Sequence, residues 1–231
     1  MAVKNVYGKL KSLEEAVAVI SDDCRLMYGG FGGVGTSPLL IDAIFNKGVR
    51  RLTLIGNDAG FPQVGVGRLV CNGQVSRMIT THIGSNPVAG KMMNEGAMEI
   101  EFSPQGTLAE RIRAGGAGVG GILLDVGLET VVARGKPTVI FEDREWLIES
   151  PLRADVALVY AAKADPFGNL VYDKSARNFN PLVATAADIT IVHAEELVEL
   201  GGLDPEEIVT PGVYVDMIVT GKGGEWTWAW E

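Results

Sequence analysis

The stretch Met98-Glu99-Ile100-Glu101-Phe102-Ser103-Pro104-Gln105-Gly106-Thr107-Leu108-Ala109-Glu110-Arg111-Ile112-Arg113-Ala114-Gly115-Gly116-Ala117-Gly118 reads as a strand, a turn and a helix in immediate succession. Met98, Ile100 and Phe102 alternate with Glu99 and Glu101. A period of two marks a strand with one buried face and predicts solvent on the glutamate side. Pro104-Gln105-Gly106 is the turn, and Thr107 with Glu110 has the Thr-x-x-Glu spacing of a capping box that opens a helix. Gly115 is the expected stop. Gln105 then falls between the carboxyl end of a strand and the amino end of a helix, where open α/β sheets bind ligands. A neutral amide there donates to a developing oxyanion without adding charge. The same residue also serves simply to tie down its turn, and spacing alone leaves both readings open.

A second strand–loop–helix precedes it. Arg25-Leu26-Met27-Tyr28 is a short buried strand, followed by Gly29, Gly30, Phe31, Gly32, Gly33, Val34 and Gly35. Ser37 is a fitting N-cap and Pro38 a fitting first helical residue for a helix over 38–46, which Gly48 stops. Strand, glycine loop and helix together form an anion-holding arrangement, with amides and helix dipole aimed at the ligand. Gly30, Gly32 and Gly35 also satisfy the dinucleotide fingerprint G-x-G-x-x-G. Gly116, Gly118 and Gly121 satisfy it too, so the pattern is cheap in a chain with 30 glycines. No acidic residue is clearly placed at the end of the next strand, 51–55, and there is no Gly-Lys-Ser/Thr phosphate loop.

The remaining pattern alternates strands and helices. Helices are expected over 10–20, 67–71, 91–94 and 126–134. Strands are expected over 75–81, 170–172, 187–192 and 213–219, with a hairpin of 138–141 and 145–150 around Asp143-Arg144. The apolar run 154–162 is read as a central parallel strand. Asn57-Asp58-Ala59-Gly60 is a turn, and 175–181 a polar loop. The whole is an α/β chain, a single domain over 1–231 with an open, mostly parallel sheet flanked by helices, and 221–231 a C-terminal extension. No internal repeat, linker or second domain is read. Trp226, Trp228 and Trp230 alternate in the tail and would line one strand face.

Net charge is −9, which argues against a nucleic-acid surface. Cys24 and Cys71 stand among apolar residues and read as buried thiols. His82 and His193 build no zinc site without a Cys-x-x-Cys, so no metal is expected. The first residues do not read as a signal peptide, and no apolar run reaches membrane length. These features predict a soluble, cytoplasmic protein.

Ser-Pro-Gln-Gly-Thr-Leu-Ala-Glu-Arg-Ile-Arg-Ala-Gly-Gly-Ala-Gly resembles the corresponding stretch of the α subunits of family I coenzyme A transferases, of the 3-oxoacid and acetate/butyrate–acetoacetate types. Gly29, Gly30, Phe31 and Gly35 match that family's Gly-Gly-Phe-x-x-x-Gly loop, and 175–181 matches another of its stretches. Two departures stand out: Thr36-Ser37 precede Pro38, and Asp23-Cys24 stand where the family has Asp-Gly. The resemblance implies an oxyanion role for Gln105 and coenzyme A contacts from residues 29–35. It implies coenzyme A as a substrate, with no tightly bound cofactor. It implies a β subunit partner in an α2β2 heterotetramer, and exchange between acyl-CoA and short-chain carboxylates such as acetate, butyrate or acetoacetate. The nucleophile of the family is a glutamate in a Glu-Asn-Gly setting on the β subunit, and this chain has only Asn94-Glu95-Gly96, in a polar turn. Arg111 and Arg113 read as phosphate ligands or as helix-surface ion pairs. Two alternatives stay open: a dinucleotide-binding oxidoreductase, and a non-catalytic assembly subunit.

Overall fold

The computed structural model describes residues 3–223. The alternating tryptophans of the tail lie outside the described residues. Ser12 opens α1 (Leu13–Ala18) with a capping box: its hydroxyl accepts from the Glu15 amide, and the Glu15 carboxylate accepts from the Ser12 amide. The helix is shorter than expected because Leu10 is drawn into a bridge with Ile218. The chain continues through β1 (Arg25–Tyr28), α2 (Pro38–Lys47), β2 (Leu52–Ile55), α3 (Gly67–Cys71), β3 (Val75–Thr80), α4 (Pro87–Asn94), β4 (Glu99–Phe102) and α5 (Gln105–Ala117). A small sheet follows, of β5 (Ile122–Leu124), β6 (Thr138–Phe141) and β7 (Arg144–Glu149). Then come β8 (Ala154–Ala164), β9 (Leu170–Val171), α6 (Asn180–Val183), β10 (Ala187–Leu197) and β11 (Met217–Thr220).

The main sheet runs β11-β10-β8-β1-β2-β3-β4 with every neighbour parallel, and β9 pairs antiparallel to the end of β8. The expected fold class, an open and mostly parallel sheet flanked by helices, is what forms. β8 is buried nearly throughout, since both its faces are covered. One layer of core packs Leu40, Ile41 and Ile44 of α2 on Leu26, Leu54 and Met78. The other packs Leu108 and Ile112 of α5 on Met27, Ile55 and Ile79. From β1 the chain winds outward to β4, then returns with β8 on the other side of β1. The carboxyl ends of β1 and β8 therefore flank a topological switch point, where such sheets hold ligands.

Several local expectations are corrected. Thr107 and Glu110 make no capping box: Pro104 precedes α5 with no side-chain cap, the buried Thr107 hydroxyl has no partner, and Glu110 pairs forward with Arg113. Gln105 is the first helical residue rather than part of a turn. Gly115 does not end the helix, which continues to Ala117 and stops at Gly118 in the left-handed region, φ 70°. Gly115 is needed for close packing instead, because a Cβ there would lie 1.9 Å from the Leu152 carbonyl oxygen. The helix expected over 126–134 shrinks to one turn of 3-10 helix at Val131–Ala133, because Gly127 takes φ 88° and breaks the run. The hairpin turns at Glu142 and Asp143, both at positive φ, as a two-residue connection requires.

On β4 the expected pattern fails at its end. Phe102 is exposed, while Glu101 is held by Arg77 and by the buried Arg111, at 2.9 and 2.7 Å. Arg111 and Arg113 are thus committed to carboxylates. Cys24 is buried but Cys71 is exposed, and both are free thiols. Gly212–Tyr214 is a 3-10 turn, which delays the last strand to Met217.

Candidate active site at the carboxyl end of the sheet

Gly29 leaves the sheet with its amide donating to the Leu158 carbonyl of β8, at 3.0 Å. The chain then folds back tightly: Phe31 and Val34 exchange backbone hydrogen bonds at 3.0 and 3.1 Å. Gly30, Gly32, Gly33 and Gly35 all take positive φ, a conformation that glycine alone adopts at little cost. The segment read as a polar loop forms the cradle. Asn178 Oδ1 accepts from the Gly30 amide, its Nδ2 donates to the Val34 carbonyl, and Asn180 Nδ2 donates to the Gly35 carbonyl, each at 2.9 Å.

This geometry changes the anion-binding reading of the loop. The amides of Gly30, Phe31, Gly32, Val34 and Thr36 are already bonded within the protein. The α2 N-terminus is also closed: Ser37 accepts from the Leu40 amide and is buried against His193. What the loop presents outward is the exposed Phe31 and Val34 side chains.

His193 has a clear structural task. Its Nε2 lies 2.9 Å from the Gly221 carbonyl, an acceptor only, so Nε2 carries the proton. Nδ1 then accepts from the Ser37 hydroxyl, also at 2.9 Å. Burial lowers the pKa of the ring below the usual histidine value, outweighing the Gly221 bond that raises it. The neutral ring therefore contributes fully above the unfolded value of about 6.5, and the contribution is lost as pH falls through the lower folded value. The thermal midpoint is expected to drop between pH 7 and 5, and His193→Gln to flatten that slope. An unchanged slope in thermal melts of the variant would rule the ring out as its source.

A second loop repeats the first. Phe61-Pro62-Gln63-Val64-Gly65 after β2 echoes Phe31-Gly32-Gly33-Val34-Gly35 after β1, with the same Phe–Val bridge. This five-residue echo is the one signal that would have pointed to the second loop, and the chain was read as free of repeats. Asp58 ties the two loops together. Its Oδ2 accepts from the Gly32 amide at 2.7 Å and from Asn57 Nδ2 at 2.9 Å, and its Oδ1 accepts from the Gly60 amide at 2.9 Å. Tyr28 donates its hydroxyl to the Asp58 carbonyl at 2.5 Å; burial first, and the Asp58 charge second, push that phenol well above its usual pKa. Asp58 and Asn57 are both buried. These three bonds commit Asp58 to joining the loops, so the dinucleotide alternative still has, among the described residues, no acidic residue placed for a ribose.

Gln105 Nε2 donates to Asn57 Oδ1 at 2.7 Å. Asn57 is itself oriented by Asp58, since an amide nitrogen, and not an amide oxygen, must face the carboxylate. The relay Asp58–Asn57–Gln105 fixes the Gln105 amide so that, among the described residues, its second N–H meets no acceptor. Gln105 lines a cavity of about 320 Å³ together with Phe31, Asn57, Phe61, His82 and Ser85. The structure thus brings Gln105 together with Phe31 and Gly32 of the 29–35 loop. His82 stands on the rim with its residue exposed, while Asn57 and Asp58 are partners that the sequence had read only as a turn.

The model of the family described as coenzyme A transferase matches residues 10–221. The chain belongs to this family. A probable coenzyme A transferase subunit alpha of Bacillus subtilis (strain 168) is 54% identical over 97% of this chain and 99% of its own length. The acetate CoA-transferase subunit alpha of Escherichia coli (strain K12) is 50% identical over 93% of this chain and 97% of its own. Among solved structures, an acyl-CoA transferase from E. coli O157:H7, in a thioester complex with CoA, superposes with a TM-score of 0.82 at 23% identity. It aligns with 94% of this chain, which spans about half (49%) of that longer chain, and at such identity it shows the fold alone. Among the described residues no group of three or more acidic, cysteine or histidine side chains is placed to hold a metal, and no helix is long and apolar enough to cross a membrane.

Proposed function

We propose that this chain is the α subunit of an enzyme that moves coenzyme A between a short-chain acyl-CoA and a carboxylate such as acetate, butyrate or acetoacetate, acting with a β subunit. The observation that carries the reading is the Gln105 amide, fixed by Asn57 with one N–H free at the junction of the two loops. In this reaction a glutamate attacks the thioester carbonyl, the carbonyl oxygen becomes an oxyanion, and coenzyme A leaves as thiolate from the resulting anhydride-forming step. The thiolate then attacks the glutamyl carbonyl of the anhydride, which releases the first acyl group as its carboxylate and leaves a glutamyl–coenzyme A thioester, and a second carboxylate reverses the sequence. Gln105 supplies a neutral donor to the oxyanion. Phe31 and Val34 supply an apolar face for the arm of coenzyme A, and the glutamate comes from the β subunit.

The test is a screen of the complex with a coenzyme A transferase β subunit, using acetyl-CoA or butyryl-CoA as donor and acetate, butyrate and acetoacetate as acceptors. Exchange with ping-pong kinetics supports the reading, and binding of a nicotinamide dinucleotide without exchange would replace it. Gly35→Val is expected to raise the KM for acyl-CoA about tenfold or more, because strain of this type costs roughly 1–3 kcal/mol. Gly35 has φ +77°, and a Cβ there would lie 2.4 Å from the Ala176 carbonyl oxygen, so the loop must leave its cradle. An unchanged KM in a correctly folded complex would remove the loop from the binding surface.

A further inference from the structure

A second cavity, of about 330 Å³, opens on the other side of Phe31, and Gln105 belongs to the walls of both. Its remaining walls include Ala109 on α5, with Asn178, Phe179 and Leu182 at the start of α6. Among the described residues no charged side chain lines it. Its one other polar side chain is saturated: Asn178 Oδ1 accepts from the amides of Gly30 and Phe179, and its Nδ2 donates to the carbonyls of Val34 and Ser175. Gln105 is left as the side chain with hydrogen-bonding capacity to spare. The walls are rigid, since Asn180 fixes the start of α6 to Tyr160 of β8 and to the Gly35 carbonyl.

Transfer of an acyl group needs two spaces that meet at the carbonyl carbon, one for the thiol carrier and one for the acyl chain. Two cavities meeting at a single amide donor meet that need. Resting on the transferase reading above, we propose that the Ala109–Leu182 cavity receives the acyl chain and that these two side chains limit its length. The matching substrates are unbranched monocarboxylates. A dicarboxylate would bring its second carboxylate against a wall on which this chain, among its described residues, offers no cation.

The test measures kcat/KM of the complex with a β subunit for acetate, butyrate, hexanoate and succinate, from a common acyl-CoA donor. Leu182→Ala is expected to raise the hexanoate-to-acetate ratio about tenfold or more, and Ala109→Leu to lower the butyrate-to-acetate ratio about tenfold, since a methylene in an apolar pocket is worth roughly 10–200-fold. Ratios within one variant cancel any loss of folded protein, and the two substitutions act in opposite directions. Variants that scale all acceptors equally, or a wild-type complex that takes succinate as well as butyrate, would overturn the cavity's role while leaving the transferase standing. A wild-type complex that transfers coenzyme A to none of the four, nor to acetoacetate, would overturn the transferase reading and this inference with it.

Discussion

Replacing Gln105 by alanine is expected to lower kcat of the assembled enzyme by roughly 10²–10³, the usual cost of losing one oxyanion donor. Folding should survive, because α5 takes no side-chain cap from Gln105 and alanine is a good first helical residue. The loss should appear in kcat at saturating substrate and not in KM, since the free N–H meets an oxygen that is fully charged only in the transition state. Gln105→Glu should be at least as harmful. Its carboxylate would face both the developing oxyanion and the Asn57 carbonyl oxygen, which now accepts from the amide at 2.7 Å. Asn57 cannot simply turn over to meet it, because its own nitrogen is held by Asp58. Steady-state rates with saturating acyl-CoA and acceptor, alongside gel filtration of the complex, decide the matter. A near-normal kcat in Gln105→Ala would leave the residue a role in local structure only.

The purified chain by itself is expected to fold and to show no transferase turnover, with activity appearing when a β subunit is added. Among the described residues no glutamate lines either cavity beside Gln105. The nearest carboxylate, Asp58, is buried and bonded through both oxygens, so it is a scaffold and not a nucleophile. Glu101 faces Arg77 and Arg111, and Glu95 lies beyond the end of α4, close to Lys91. On the proposed mechanism the anhydride needs a glutamate from a partner chain. Robust coenzyme A exchange by the purified single chain would contradict the division of labour between two subunits.

Much of this was legible because it is encoded locally. Met98 and Ile100 gave the strand, Ser37-Pro38 gave the start of α2, and the glycines after Tyr28 gave a loop whose backbone angles only they adopt readily. Gln105 does follow the end of β4, but as the first helical residue and not in the turn that Thr107 and Glu110 implied. The capping-box pattern misled because Thr107 is needed inside, beneath the helix, where its hydroxyl cannot reach back to cap. What stayed hidden depends on distant partners. Gln105 meets Asn57 across 48 residues and Gly30 meets Asn178 across 148, and no local period announces such pairs. The exposure of Phe102 likewise follows from Arg111 pulling Glu101 inward, a tertiary ion pair that overrides alternation along the strand.

The order of strands has a consequence for synthesis. β1 is among the first elements to leave the ribosome, yet its partner on one side is β8, which begins at Ala154. At translation rates of about 5–20 residues per second, the edge formed by Leu26, Met27 and Tyr28 waits on the order of ten seconds for the strand that covers it. In that interval any pairing among β1 to β4 leaves an apolar border open, a template for pairing with another copy. Production yield of this protein should therefore depend on how fast residues 154–164 follow and on whether a chaperone shields the border, more than on the stability of the finished sheet.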